Sequence, residues 1–394
     1  MGPPHPHGRR RLSEGDLSIL LDNHARFVAG KGGKRAQLPF VDFTGLNLAG
    51  RQLSGGDFSG SVFDGARLTG AQLAGAILAG CDLRQADLRN ANLRKADLRG
   101  ACLSGANLAG ADLTGADFRP GMTARPHPTR GYPAVVEEHR GGELDGANLA
   151  GATLDQARLD GLYAADTDFS DASLAGARLA DANLKGANFS GAFLAAAEVS
   201  GANLEGADFG GADLSGVVLT KARTHGARLE GACSPPTRDD VARAAKLVLQ
   251  AKAHDVWVGS GGREGAPARL DEADLRSAGD GLRGLKLAAV SARGANLSGL
   301  DLTGVQFQGA NLEGCDLRGA ILRSADLRGA RFGGANLTRA DLTDANLSPL
   351  AIGPDRSTAT NLAGARMRYA RLDGALLEGA VLDGADLRGT QLPL

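Results

Sequence analysis

The sequence predicts an all-β solenoid with short α-helical caps, and three observations predict it. A small-residue, Leu-centred pattern recurs every five residues through most of the chain. Glycine supplies 58 of the 394 residues whereas Phe, Tyr and Trp number only 12, 3 and 1, so the interior must be filled by small side chains in a regular way. Two helix-like segments with matching endings each lead into a run of repeats. A period of five fits neither the helical 3.6 nor the strand 2.0. Self-similarity at fixed period marks a chain whose units bury their apolar face only by stacking on neighbours.

The elements follow in order. Residues 1–11 form a basic, Pro-bearing tail expected to be disordered, and His5 and His7 within it are too loosely held for a specific metal site. Over 12–37, a helical cap opens on the capping pair Ser13 and Asp16. It carries the apolar stripe Leu17, Leu20, Leu21, His24, Phe27 and Val28, and ends at Gly30 or Gly32. Solenoid 1 occupies 38–118, with a large residue at every fifth position from Phe43 to Phe118, 16 in all. Residues 119–142 hold Pro120, Pro126, Pro128 and Pro133 and read as a linker or a loop. The change of frame from Phe118 to Leu144 permits either.

Solenoid 2 occupies 143–232, with 18 positions from Leu144 to Leu229 and weak members at Ala164, Val199 and Thr224. A second helical cap lies within 233–281. There Thr237 and Asp240 form a capping pair after Pro235-Pro236, and the apolar stripe is read as Val241, Ala245, Val248, Leu249 and Val256. Solenoid 3 occupies 282–394, with 23 positions from Leu282 to Leu392. Ala292 and Ser357 are poor members, and the frame survives the stretch from Ser348 to Pro354. The two helices end alike: His24, Phe27 and Val28 lead to Gly32-Gly33, and His254, Trp257 and Val258 lead to Gly261-Gly262. His24, Phe27, His254 and Trp257 are therefore read as cap residues, the two imidazoles bonded to backbone.

The unit Ala-(Asp/Asn)-Leu-x-x, seen as Ala86-Asp87-Leu88, Ala147-Asn148-Leu149 and Ala325-Asp326-Leu327, resembles the pentapeptide repeat protein family, over 57 units and 285 residues. The resemblance implies a right-handed quadrilateral β-helix in two or three rods. Each coil would hold four pentapeptides, with the third-position Leu or Phe and the first-position Ala inward. Twenty residues would then return to the same face. Phe169, Phe189 and Phe209 should stack as one aromatic column, with Phe43 and Phe63 as a shorter one. Arg84, Arg89, Arg94 and Arg99, five apart, would form a belt around one coil instead of a stripe along the rod.

Function is bounded mainly by exclusion. Lys and Arg number 44 against 45 Asp and Glu, a net charge of −1, which argues against a nucleic-acid binder and against an all-over acidic DNA mimic. No apolar run is long enough to cross a bilayer and no secretory leader is present, so the expectation is a cytoplasmic protein. Cys81, Cys102, Cys233 and Cys315 have no Cys-x-x-Cys spacing and are read as small residues in small slots. Gly30-Lys-Gly-Gly-Lys34 follows a helix, where a phosphate loop would precede one. No catalytic His, Ser or carboxylate constellation appears, so no enzyme, cofactor or metal is expected.

The leading expectation is a non-enzymatic scaffold for an unidentified protein partner. Tyr163 and Phe193 are the candidate contacts, because they occupy outward slots usually held by small or polar residues. The alternative, implied by the resemblance, is a DNA mimic that binds or protects DNA gyrase. Only 143–232 is clearly acidic, with 6 basic and 13 acidic residues. No helix follows Leu392-Pro393-Leu394, so a homodimer through an uncovered C-terminal coil is also expected.

Overall fold

Inward and outward positions alternate within each repeat. In the repeat beginning at Ala86, Ala86 and Leu88 are buried, Asp87 is half-buried, and Arg89 and Asn90 face solvent. The fifth residue turns the corner in the left-handed region, as Gly70 does at φ +65° and Asn90 at φ +56°. In the computed structural model, which describes residues 9–126, 133–233, 236–354, 356–390 and 392, these corners close a coil every four repeats. The ladder makes this explicit: Asp87 N–H donates to Ala66 O at 2.9 Å, and Leu68 N–H donates to Asp87 O at 2.7 Å. Arg67, Gln72, Ile77 and Asp82 pair in parallel with Asp87, Asn92, Asp97 and Cys102. Each face thus contributes one short parallel bridge per coil, and the chain is a four-faced β-helix with long regular strands replaced by corners.

The chain divides into two compact units, Met1–Pro235 and Pro236–Leu394. In the first, bridges run from Gln37↔Asp57 to Asp213↔Cys233. They continue past 119–142, where Cys102, Asn107, Asp112 and Asp117 pair with Glu143, Asn148, Thr153 and Arg158. The excursion between these coils holds an antiparallel hairpin of β1 (Gly121–Pro126) and β2 (Pro133–Arg140). In the second unit the bridges run from Arg269↔Ser291 to Arg366↔Asp386. The Arg331↔Asn361 pair steps over a smaller hairpin of β3 (Leu350–Gly353) and β4 (Arg356–Thr358).

The expected tail over 1–11 is corrected at its end. Arg10 pairs in parallel with Val41, and Asp42 N–H donates to Arg10 O at 3.0 Å, because the first coil otherwise leaves these backbone groups unpaired. The adjacent Arg9 guanidinium lies in the field of Asp82 and Asp42. Residues 1–8, with His5 and His7, lie outside the described residues.

Helix α1 spans Glu14–Val28 and α2 spans Arg238–Gly259. Ser13 accepts the Asp16 N–H at the start of α1, and Thr237 with Asp240 forms a reciprocal capping box at the start of α2. The stripes read from sequence are corrected in both. On α1 only Leu17, Leu21 and His24 are buried, while Leu20, Phe27 and Val28 are exposed. On α2 the buried residues are Ala244, Ala251 and His254, and Val241, Ala245, Leu249 and Val256 face outward. Both helices carry apolar residues on two sides. On α2 the side pressed on the solenoid is the one whose Ala244 and Ala251 allow close approach, whereas α1 presses Leu17 and Leu21 inward. Gly33 and Gly265 hold the returning chain against the helices. A Cβ on Gly33 would lie 2.1 Å from Asn23 O, and one on Gly265 would lie 2.2 Å from Ala253 O.

Inside, Phe169 stacks on Phe189 at 4.9 Å and Phe189 on Phe209 at 5.0 Å, with planes within 3°. Phe43 and Phe63 stack at 4.6 Å. Buried Ser, Thr and Cys at the first position obey one rule: each donates to the third-position carbonyl one coil back, twenty-three residues earlier where no insertion intervenes. Ser61 Oγ reaches Leu38 O at 2.9 Å, Cys81 Sγ reaches Phe58 O at 3.0 Å and Thr167 Oγ1 reaches Leu144 O at 2.7 Å. Thr360 Oγ1 makes the same bond to Leu327 O at 3.1 Å across the ten-residue β3–β4 insertion. Each donor is thereby satisfied where water has no access.

Candidate protein-interaction surface

With first and third positions buried, the second, fourth and fifth carry whatever the solenoid presents. The basic belt of the first unit is neutralised by carboxylates of its own coil and the next. Arg84, Arg89 and Arg99 pair with Asp82, Asp87 and Asp97 two residues earlier at 2.6 to 2.7 Å, and Arg94 reaches Asp112 at 2.9 Å. The Arg89 hydrogen bond brings the Asp87 carboxyl down to about 2. The second unit repeats this clamp at Asp316 and Arg318 and at Asp326 and Arg328. A bidentate pair locked within one repeat leaves little free charge to steer a ligand.

The acidic residues of 143–232 are spread over all four faces. Asp160 pairs with Arg178, Asp208 with Arg228, and Asp155 accepts the Ser173 hydroxyl. Asp166, Asp171 and Asp181 turn corners at positive φ and lay their carboxylates over Gly186, Gly191 and Gly201 of the next coil.

The two predicted aromatic contacts part company. Tyr163 is 49% exposed. It sits in the ladder between Glu143 and Asn183, and its ring lies 3.3 Å from where a Cβ on Gly141 would stand. It therefore marks the root of the β1–β2 excursion, where the chain rejoins the solenoid. Phe193 is only 9% exposed, which corrects its reading as an exposed contact. Its ladder neighbours are Ser173 and Asp213, and beside the short Ser173 a ring has room to lie along the face, out of water. Sequence position alone did not distinguish the two; the size of the residue twenty places away did.

The cap residues are brought together as two like sites. His24 Nδ1 accepts the Ala36 N–H at 3.1 Å, and His254 Nδ1 accepts the Ala268 N–H at 2.9 Å. Phe27 stacks on His24 with centroids 6.2 Å apart, and Trp257 tilts against His254 at 5.4 Å. Burial drives the His24 imidazole below its ordinary pKa, against the opposing pull of the Leu53 and Ser54 carbonyls. An imidazole used as a backbone acceptor is committed to holding the first coil.

Burial pushes the Cys81 and Cys315 thiols up to about 12, so neither is a nucleophile in the folded chain. Among the described residues, no three His, Cys, Asp or Glu side chains gather to hold a metal ion. No helix among them is long and apolar enough to cross a membrane.

The model of the pentapeptide repeats family matches in eight copies, over stretches within 42–119, 143–233, 282–348 and 360–393. The chain belongs to the pentapeptide repeat family. Membership of that family implies a right-handed β-helix for the four-faced solenoid described above. Among solved structures of pentapeptide repeat proteins, the chain is similar to HetL, involved in heterocyst differentiation regulation in the cyanobacterium Nostoc sp. Strain PCC 7120. The identity is 25%, over 77% of this chain and 89% of HetL, with a TM-score of 0.20. It is also similar to QnrB1, a plasmid-mediated fluoroquinolone resistance protein, at 20% identity over 53% of this chain and 95% of QnrB1, TM-score 0.28. A pentapeptide repeat protein of the Arabidopsis thaliana thylakoid lumen matches at 28% identity over 30% of this chain and 64% of its own, TM-score 0.21. No sequence relative is found among curated proteins.

Proposed function

We propose that this pentapeptide repeat protein is a non-enzymatic scaffold, built as two helix-capped rods, that binds a protein partner in the cytoplasm. The observation that carries the reading is Tyr163, a half-exposed aromatic set between the polar ladder neighbours Glu143 and Asn183, at the root of the β1–β2 excursion. An aromatic beside a projecting loop on a rigid frame is the kind of feature that protein contacts use. The C-terminal coil is the second contact in this reading. Leu376 and Leu392 are exposed there and Leu377, Leu382 and Leu387 are only half covered, so a second copy pairing end to end would bury them.

The test is affinity capture from lysate with the full-length protein and a Tyr163→Ser variant, read by quantitative mass spectrometry. The reading expects a stoichiometric partner that the variant retains at least tenfold less. Equal capture by both proteins, or no enriched partner, overturns it. The alternative, a DNA mimic acting on DNA gyrase, draws on the 13 acidic residues of 143–232. Recovery of gyrase subunits in that capture would favour it.

A further inference from the structure

Where the chain leaves α1 for the first coil it encloses a cleft of about 450 Å³, lined by Leu20, Asn23, Lys34, Arg35, Gln37 and Leu38. Two cations line it and no carboxylate does. Acidic residues of α1 are used elsewhere: Asp16 takes the Ser13 hydroxyl, and Asp22 pairs with Arg51 at 3.1 Å. The Arg35 side chain is fixed in place, its Nε–H donating to Gly55 O at 2.5 Å. The exposed Lys34 ammonium meets no acceptor among the described residues.

The turn beside the cleft is rich in unused donors. Gly32 and Gly33 run at φ +79° and +97°, and the N–H groups of Gly32, Gly33, Lys34 and Arg35 meet no acceptor among the described residues. The second cap shows that such a turn can satisfy itself. There Gly261 and Gly262 donate to Val258 O and Trp257 O, and Ser260 Oγ takes the Arg263 and Glu264 N–H groups at 3.1 and 2.9 Å. Counted back from the histidine-bonded amides of Ala36 and Ala268, the places of Lys34 and Arg35 are held by the uncharged Ala266 and Pro267. The donors and the charge are thus peculiar to the first cap, and holding the first coil does not require them.

We infer that this cleft binds a small phosphate monoester. Lys34, Arg35 and the turn amides supply charge-assisted bonds to the phosphate oxygens, and Leu20 and Leu38 offer an apolar wall to the organic part. The cleft is larger than a bare phosphate needs and falls within the size of small-molecule sites. A Walker loop draws on the start of a following helix; here side-chain cations take the place of that dipole. The end of α1 offers little opposition, because the Ala25, Arg26 and Phe27 carbonyls already accept the Ala29, Lys31 and Gly30 N–H groups.

The test is calorimetric titration of the full-length protein with adenosine monophosphate and glucose 6-phosphate, and with unphosphorylated adenosine and glucose. A Lys34→Gln/Arg35→Gln variant is compared, with folding checked by circular dichroism. Lys34→Gln alone keeps the test open should the pair not fold. Lys246→Gln/Lys252→Gln removes equal charge from α2 as a control. The expected result is saturable binding of one or both esters, none of adenosine or glucose, and an affinity reduced about tenfold in the cleft variant and unchanged in the control. In protein carrying isotope-labelled glycine, the Gly32 and Gly33 amide signals should move as ester is added. Absence of binding by either ester, equal binding by wild type and the folded cleft variant, or an equal loss in the control would overturn the inference.

Discussion

The imidazole of His254 lies 3.0 Å through Nε2 from the Ala288 carbonyl while its Nδ1 holds the Ala268 amide, so both ring nitrogens are tied to backbone. The matching ring in the first unit closes a hydrogen bond at one nitrogen: His24 Nε2 is buried within the pull of the Leu53 and Ser54 carbonyls but completes no well-formed bond to either. The two caps are alike in plan and unequal in satisfaction.

Burial of the His24 ring sets a pH dependence. Burial lowers the His24 pKa, so the folded state disfavours the proton. As pH falls below the ordinary value of about 6.5, the unfolded chain gains a proton that the folded one resists, and stability is lost; above that value it is fully present. Hydrogen exchange at the Ala36 amide, corrected for intrinsic rates, should show protection falling between about pH 7.5 and 5.5. His24→Ala should abolish the dependence and lower stability by about 1–3 kcal/mol, because the Ala36 N–H loses its acceptor.

The aromatic column should be the costliest place to cut. Phe189 is stacked on both sides, so Phe189→Ala opens a cavity in the middle of the column. Denaturant unfolding should register a loss of about 3–5 kcal/mol, and Phe189→Leu a loss of less than half that. An equal cost for both would mean that the coils collapse around the gap.

The two hairpins should be removable without harm to the ladder. Deleting 120–140 brings Arg119 to Gly141, a residue that fits the corner, and restores a twenty-residue step between Cys102 and Glu143. Deleting 349–358 does the same between Arg331 and Asn361. Both variants should melt within about 1 kcal/mol of the parent, since surface insertions change loop entropy only slowly with length. Unfolding of either would show that its hairpin holds the solenoid together.

Thiol labelling should divide the cysteines two and two. Cys102 and Cys233 are half-exposed and should react in the native protein, while Cys81 and Cys315 should react only on unfolding. Cys81→Ser should be tolerated, because Ser61 makes the equivalent bond to its own carbonyl; Cys81→Val should not.

The repeat frame was legible because each inward Leu or Phe recurs at a fixed step, and the Phe169, Phe189 and Phe209 stack followed from it by counting twenty. What escaped was set by neighbours across coils. Phe193 lies along its face because Ser173 beside it is short, and Arg10 joins the ladder because the first coil lacks a predecessor. Hydrophobicity alone does not tell the two sides of α2 apart: Ala244 and Ala251 bury fully while the larger Leu249 faces solvent. Of the surface candidates, Tyr163 kept its exposure and Phe193 lost it, a difference that no single-repeat pattern records.

The Asp-x-Arg clamp has a consequence for how such chains change length over generations. Asp82 with Arg84, Asp87 with Arg89, Asp316 with Arg318 and Asp326 with Arg328 each pair inside a single repeat. Where the clamp is the pairing used, duplication or loss of a coil by unequal recombination adds or removes no unbalanced ion; only pairs that join successive coils, such as Arg94 with Asp112 and Asp160 with Arg178, would be broken. A gene built from such self-contained codon blocks tolerates copy-number drift that would wreck a protein whose ion pairs span distant segments.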